Sequence, residues 1–146
     1  MEKIASLAGS IFVSLFLASC ATPYVAPTSG PLAQIMLLPE KSMVMSYVLQ
    51  GEECKTPLLI GGRDGKWENI RAGERSYFSR TFTYHAQGIT TSCHIAFSFL
   101  PKAGERYESV WESSNQRCAV QLYRLTASST RELEDTFQFE KPRYCR

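Results

Sequence analysis

This sequence lacks a large excess of either positive or negative charge. The 146 residues carry 16 lysines and arginines against 14 aspartates and glutamates, for a net charge of +2. Domains that bind nucleic acid usually concentrate basic residues on one face. Here the bases are scattered among acids, at positions such as Arg63, Arg71, Arg75, Arg80, Arg143 and Arg146. This pattern predicts a solvated surface of mixed charge and gives no support for a nucleic-acid partner.

Histidines and the common catalytic motifs are also scarce. Only His85 and His94 are present, and no serine lies in a GxSxG motif. The glycine-rich stretch 61–65 lacks the spacing and the lysine-hydroxyl ending of a phosphate-binding loop. The sequence therefore predicts no catalytic residue and no cofactor. A hydrolase that uses His85 or His94 with a nearby serine or carboxylate remains an alternative.

Closely spaced metal ligands are missing as well. No CxxC pair occurs among the five cysteines, although zinc sites usually show such spacing. Cys93 and His94 are neighbours, and neighbouring side chains of a strand point to opposite faces. We therefore predict no metal site.

The apolar run at the N-terminus is short. It extends from Ile4 to Leu17 and contains serines and a glycine, whereas a membrane-spanning helix needs roughly 20 apolar residues. Lys3 and the terminal amino group precede it. A short apolar run after a weakly positive start is typical of a secretory signal peptide, so we expect the chain to be exported.

The run ends in Leu17-Ala18-Ser19-Cys20. This tetrapeptide resembles the lipobox of bacterial lipoproteins, in which an apolar residue and two small residues precede an obligatory cysteine. The resemblance implies that residues 1–19 are removed as a signal peptide and that the Cys20 thiol carries the lipid. In that family an aspartate after the cysteine favours the inner membrane. Ala21 at that position therefore implies an outer-membrane lipoprotein with its domain in the periplasm or at the cell surface.

A proline-rich stretch follows the proposed lipid-bearing cysteine. Residues 21–31 read ATPYVAPTSGP, and proline restricts the backbone and removes hydrogen-bond donors. We expect residues 20–33 to form the lipid anchor and a flexible, extended linker. The folded domain is then expected to occupy residues 34–146.

The rest of the chain alternates apolar and polar residues in short segments between turn signals, which is typical of an all-β domain. We predict a small antiparallel β-sandwich with a final strand that includes Phe137 and Phe139. A capping box at Ser129 and Glu132 would instead favour one short helical turn. The other predicted strands are Ile35–Leu38, Met43–Leu49, Leu58–Ile60, Tyr77–Tyr84, Thr91–Phe99, Tyr107–Trp111 and Cys118–Leu125.

Four cysteines remain after Cys20, an even number that indicates two disulfides in an exported chain. Cys93 is in phase with Phe97, and Cys118 is in phase with Val120, so both cysteines lie on the apolar faces of their strands. Of the three possible connectivities, this favours a Cys93–Cys118 bond across the core.

The second disulfide follows by elimination. If Cys93 pairs with Cys118, Cys54 and Cys145 are left to pair with each other. That bond would hold the C-terminal end against the early part of the domain.

Leu100, Pro101, Gly104 and Tyr107 form an LPxxGxxY pattern. It resembles the tyrosine corner of immunoglobulin-like domains and a pattern in small uncharacterised bacterial lipoproteins with transthyretin-like or immunoglobulin-like sandwiches. The resemblance covers about a quarter of the chain. It implies a loop geometry and not a chemistry.

These features predict a membrane-anchored envelope lipoprotein that acts as a non-enzymatic interaction or structural module. Its partners would be the membrane, through the lipidated N-terminus, and an envelope protein or peptidoglycan. Trp67 and Trp111 could stack on a glycan, although packing in the core or at its rim is favoured. The alternatives are a periplasmic inhibitor of a lysozyme-like hydrolase and the hydrolase named above.

Overall fold

The computed structural model describes residues 22–38, 44–50, 58–60, 65–86, 89–114 and 117–141. This part of the chain contains β-strands and no helix, as the alternating sequence pattern predicts. The strands are β1 (Thr22–Pro23), β2 (Leu32–Leu37), β3 (Val44–Gln50), β4 (Leu58–Leu59), β5 (Trp67–Arg71), β6 (Ser76–Ala86), β7 (Ile89–Phe99), β8 (Arg106–Ser114), β9 (Arg117–Leu125), β10 (Arg131–Leu133) and β11 (Gln138–Glu140).

The strands form two sheets. The larger has the order β1-β4-β3-β6-β7-β11, and the smaller has the order β10-β9-β8-β2-β5. Strand β2 runs parallel to β8, and β1 runs parallel to β4. The expectation of wholly antiparallel sheets is therefore wrong. Strands β2 and β8 belong to separate passages of the chain through the smaller sheet, so no tight hairpin forces them to be antiparallel.

One core joins the two sheets. Ile35 and Tyr107 from the smaller sheet and Phe78 and Phe97 from the larger sheet belong to the same buried cluster. The Phe78 and Phe97 rings stack with centroids 5.3 Å apart. These residues occupy alternating positions of their strands, which explains why one face of each sheet is apolar.

The N-terminal segment departs from the expected linker. It is extended, but Thr22–Pro23 pairs with Leu58–Leu59 at the edge of the larger sheet. Leu32 and Ala33, which fall within the expected linker, lie in β2. The folded unit thus begins before the predicted boundary at Gln34, because the proline-rich segment finds backbone and side-chain partners on the domain.

Two further strands were not anticipated. Strand β5 has only one fully buried residue, Ile70, so its sequence carries little alternation. Strand β10 includes Glu132, one of the two residues of the possible capping box. Ser129 just before it has a φ of 60°, and the Ser129 amide donates to the Thr126 carbonyl. Ser129 therefore belongs to a turn and does not cap a helix.

Candidate functional site

A disulfide connects the two sheets. Cys93 in β7 bonds to Cys118 in β9, with Cα atoms 6.3 Å apart. Both cysteines are partly buried and pack against the core. The bond predicted from the apolar faces of the two strands is present. Cys20, Cys54 and Cys145 lie outside the described residues.

Arg80 is the largest fully buried side chain in the described part of the chain, at 1% exposure. It projects from β6 in the larger sheet toward the smaller sheet. Its Nη1 donates to the carbonyl and hydroxyl oxygens of Ser109, and its Nη2 donates to the carbonyl oxygen of Leu38 at 2.8 Å. The guanidinium group also lies 5.5 Å from the centre of the Trp111 ring, within cation–π range.

The burial of Arg80 corrects the expectation that it belongs to the solvated surface. Arg80 is two residues from the core side chain Phe78, so strand alternation places both on the inner face. That signal was present in the sequence, but a charge is rarely buried without several partners. The hydrogen bonds to Ser109 and Leu38 supply those partners.

A second polar network surrounds Ser98, which is fully buried at the end of β7. Ser98 Oγ donates to Glu140 in β11 at 2.6 Å and accepts from Arg75 Nη1 at 3.0 Å. Arg75 also donates to the Thr136 carbonyl oxygen. The network holds β11 and its preceding turn against β7. Its polar atoms form hydrogen bonds with one another, which is typical of a cluster that stabilises the fold.

Tyr107 organises the loop before β8. The fully buried Tyr107 hydroxyl accepts a hydrogen bond from the Lys102 amide at 3.0 Å. Burial raises the pKa of this phenol above its ordinary value. Gly104 has a φ of 79°, a backbone conformation that glycine adopts at little cost. The LPxxGxxY residues thus form a defined loop whose polar atoms bond within the fold.

Of the two histidines, only His94 has a described side chain, and it is exposed. His94 Nδ1 lies 2.7 Å from Thr81 Oγ1 on an exposed part of the β6–β7 surface, where Thr81 and His94 are direct cross-strand partners. The backbone of His85 lies in β6, and its side chain lies outside the described residues.

The described residues contain no group of three or more histidine, cysteine, aspartate or glutamate side chains that could hold a metal ion. They also contain no helix long and apolar enough to cross a membrane.

One open depression of about 390 Å³ is lined by Pro31, Ala72, Gly73 and the ion pair between Arg71 and Glu74. The Arg71 and Glu74 charges neutralise each other on an exposed surface.

The two tryptophans differ in burial. Trp111 is 6% exposed and belongs to the core cluster, while Trp67 is half-buried, with the Arg106 guanidinium 5.4 Å from the centre of its ring. Both positions agree with the predicted packing roles.

Exposed apolar side chains occur on two sides of the molecule. We call the first side the rim: Leu133 and Phe139 are 69% and 67% exposed and flank the turn between β10 and β11. Phe139 packs against Phe137, which contacts the core ring of Phe97. The rim therefore continues the aromatic core to the surface.

We call the second side the anchor edge: Thr22, Pro23, Val25 and Leu59, where β1 meets β4. Val25 is 85% exposed and Leu59 is 36% exposed. Pro23 is the register partner of Leu59. This edge lies two residues from the candidate lipid-bearing cysteine.

Comparison of the chain with protein-family models, with curated proteins and with solved structures finds no match.

Proposed function

We propose that this chain is a bacterial envelope lipoprotein whose all-β domain serves as a non-enzymatic interaction module. The observation that carries the proposal is the Cys93–Cys118 disulfide. Disulfides form and persist mainly in oxidising compartments, such as the bacterial periplasm and the cell surface. An exported domain fits this chemistry.

The proposed anchor is a lipid on the Cys20 thiol after removal of residues 1–19. The Leu17-Ala18-Ser19-Cys20 sequence supports this anchor. The exposed positions of Thr22 and Pro23 support it as well, because they keep the start of the mature chain accessible at the domain surface. With Ala21 after the cysteine, the proposed location is the outer membrane.

The proposed architecture is a β-sandwich with a second disulfide between Cys54 and Cys145. Two observations support the sandwich: residues of both sheets share one core cluster, and a disulfide joins β7 of one sheet to β9 of the other. The second disulfide rests on the even number of cysteines.

The proposed interaction is with another envelope protein at the rim. Exposed apolar patches on soluble domains can mark sites of protein–protein contact. Leu133 and Phe139 fit an apolar protein contact. Peptidoglycan is the alternative ligand and would be expected to use the half-buried Trp67 instead.

The non-enzymatic part of the proposal is supported by the setting of Thr81 and His94, which form an exposed cross-strand pair.

Inhibition of a lysozyme-like hydrolase is another binding function, but a net charge of +2 does not complement a basic enzyme. Assay of lysozyme with a large excess of the purified domain tests this alternative. Nanomolar inhibition would replace the rim-binding proposal.

The test of anchoring compares the full chain with a Cys20→Ser variant in a bacterial host supplied with labelled palmitate. The full chain should incorporate label and sediment with outer membranes, and Cys20→Ser should do neither. Cys54→Ser is the control for general loss of a cysteine and should retain the label. Equal labelling of all three chains, or of none, would contradict the proposal.

A further inference from the structure

The segment that follows the candidate lipid-bearing cysteine is fastened along its length. We call residues 22–31 the strap. Its first residues pair with β4, the Tyr24 amide donates to the Leu59 carbonyl at 2.8 Å, and the Pro31 carbonyl accepts from the Ala72 amide at 2.9 Å. A free linker would show no such series of contacts.

Tyr24 is the strongest attachment of the strap. Its ring packs against the core cluster, and its hydroxyl donates to the Asn69 carbonyl in β5 at 2.8 Å. The Asn69 side chain in turn donates to the Pro27 carbonyl at 3.5 Å. Because β1 and β5 are edge strands of different sheets, the strap closes one side of the molecule.

The strap limits how far the domain can move from a lipid on Cys20. Two residues of extended chain cover about 7 Å, so Cys20 lies within about that distance of Thr22. The headgroup region on one side of a bilayer is about 5–8 Å thick. Thr22, and the sheet edge to which it is paired, would therefore lie at the level of the headgroups.

The surface at this edge is suited to such a position. Tyr24 points into the domain, so Val25 points away from it and is 85% exposed. Leu59, on the strand that pairs with the strap, exposes a second aliphatic side chain.

We infer that the anchor edge is a membrane-contact surface: the strap seats the domain directly on the bilayer, with Val25 and Leu59 against the lipid. This inference rests on the proposed lipidation of Cys20. It assigns one side of the domain to lipid and leaves the rim free for a protein partner, since Phe139 lies in β11, at the opposite edge of the larger sheet from β1.

The test uses the acylated full chain in vesicles of phosphatidylethanolamine and phosphatidylglycerol that contain brominated phospholipid, which quenches nearby tryptophan. Leu59→Trp is the probe, because it reports on the domain and not on the segment beside the lipid. Phe139→Trp is the matched control. It is exposed and lies four strand positions away in the same sheet, or about 19 Å at the usual strand spacing.

The expected result is that brominated lipid removes more than half of the added fluorescence of Leu59→Trp and leaves that of Phe139→Trp unchanged. A ten-residue glycine-serine insertion after Ala21, with a root-mean-square length of about 17 Å, should reduce the quenching of Leu59→Trp. The insertion lies before the first paired residue, so folding should be unaffected.

Equal, weak quenching of both probes in acylated, vesicle-bound protein would overturn the membrane-contact inference and leave the proposed lipoprotein intact. A chain without acyl mass that fails to bind vesicles would overturn both. Strong quenching of Leu59→Trp that the inserted spacer does not change would contradict the claim that the strap holds the domain against the bilayer.

Discussion

Arg80 in the larger sheet donates a 2.8 Å hydrogen bond to the carbonyl oxygen of Leu38, which follows the β2 strand of the smaller sheet. The same guanidinium group reaches Ser109 in β8. One buried charged side chain therefore satisfies backbone and hydroxyl acceptors across the core. Such an arrangement fixes how the two sheets meet, because the Leu38 carbonyl and the Ser109 hydroxyl lose the Arg80 donor if the sheets slide.

We expect Arg80→Met to lower the free energy of unfolding by about 2–4 kcal/mol, because each buried acceptor left without a donor costs about 1–3 kcal/mol. Urea unfolding measures the change. Arg71→Met is the control, since the Arg71 side chain is 56% exposed and exposed ion pairs contribute about 0–1 kcal/mol. Equal effects of the two substitutions would refute the role assigned to Arg80.

The Cys93–Cys118 bond closes a sequence separation of 25 residues. A loop of that length predicts a loss of about 3 kcal/mol for Cys93→Ala/Cys118→Ala, mainly through the entropy of the unfolded chain. Chemical unfolding under non-reducing conditions measures it. Digestion of the unreduced protein should also yield one linked peptide pair that contains Cys93 and Cys118. A peptide that links Cys93 to Cys54 or to Cys145 would contradict the structure.

The strap should loosen at high pH. Burial raises the pKa of Tyr24 to about 12, with a further contribution from the negative charge of Glu68. In the unfolded chain the phenol ionises near its ordinary pKa of about 10, while the folded protein retains the proton. The free energy of unfolding should therefore fall between about pH 10 and pH 12.

Tyr24→Phe separates this effect from other alkaline changes, including those at Tyr107, whose pKa is also raised. The variant lacks the ionisable phenol, so its free energy of unfolding should decline less over that pH range than the parent's. Thermal unfolding at a series of pH values measures the difference. Parallel curves for the two proteins would show that Tyr24 does not ionise with the predicted linkage.

The rim makes a separate prediction in cells. A photoreactive amino acid in place of Phe139 should form a discrete crosslinked adduct with an envelope protein, because this side chain is 67% exposed at an apolar site. The same group in place of Thr83, an exposed residue of β6, is the control. An adduct at both positions, or at neither, would argue against the rim as the contact.

Much of the fold follows from the alternation of side chains along the chain. The Cys93–Phe99 segment and the strand that begins near Cys118 have one apolar face each, and those faces determined both the strand assignments and the disulfide. The turns at Gly73 and Gly104 were marked by glycine, and both adopt positive φ. These features are local, so a single sequence reveals them.

The remaining features depend on contacts between distant residues. Tyr24 lies in a proline-rich stretch that reads as a spacer. Its contacts with distant residues make it part of the domain, among them the hydrogen bond to Asn69, 45 residues away. Ser98 is polar and in phase with the exposed His94, yet Arg75 and Glu140 bury it. No periodic pattern in the sequence encodes these partners.

Intact mass spectrometry of protein extracted from host membranes is the decisive experiment for the proposed lipid-anchored, disulfide-bonded envelope protein. The expected species is a chain of residues 20–146 with added acyl mass, which gains about four hydrogens on reduction because two disulfides open. A chain that retains residues 1–19, or one that starts at Cys20 without acyl mass, would contradict the anchor. Free thiols at Cys93 and Cys118 before reduction would contradict the disulfide on which the export argument depends.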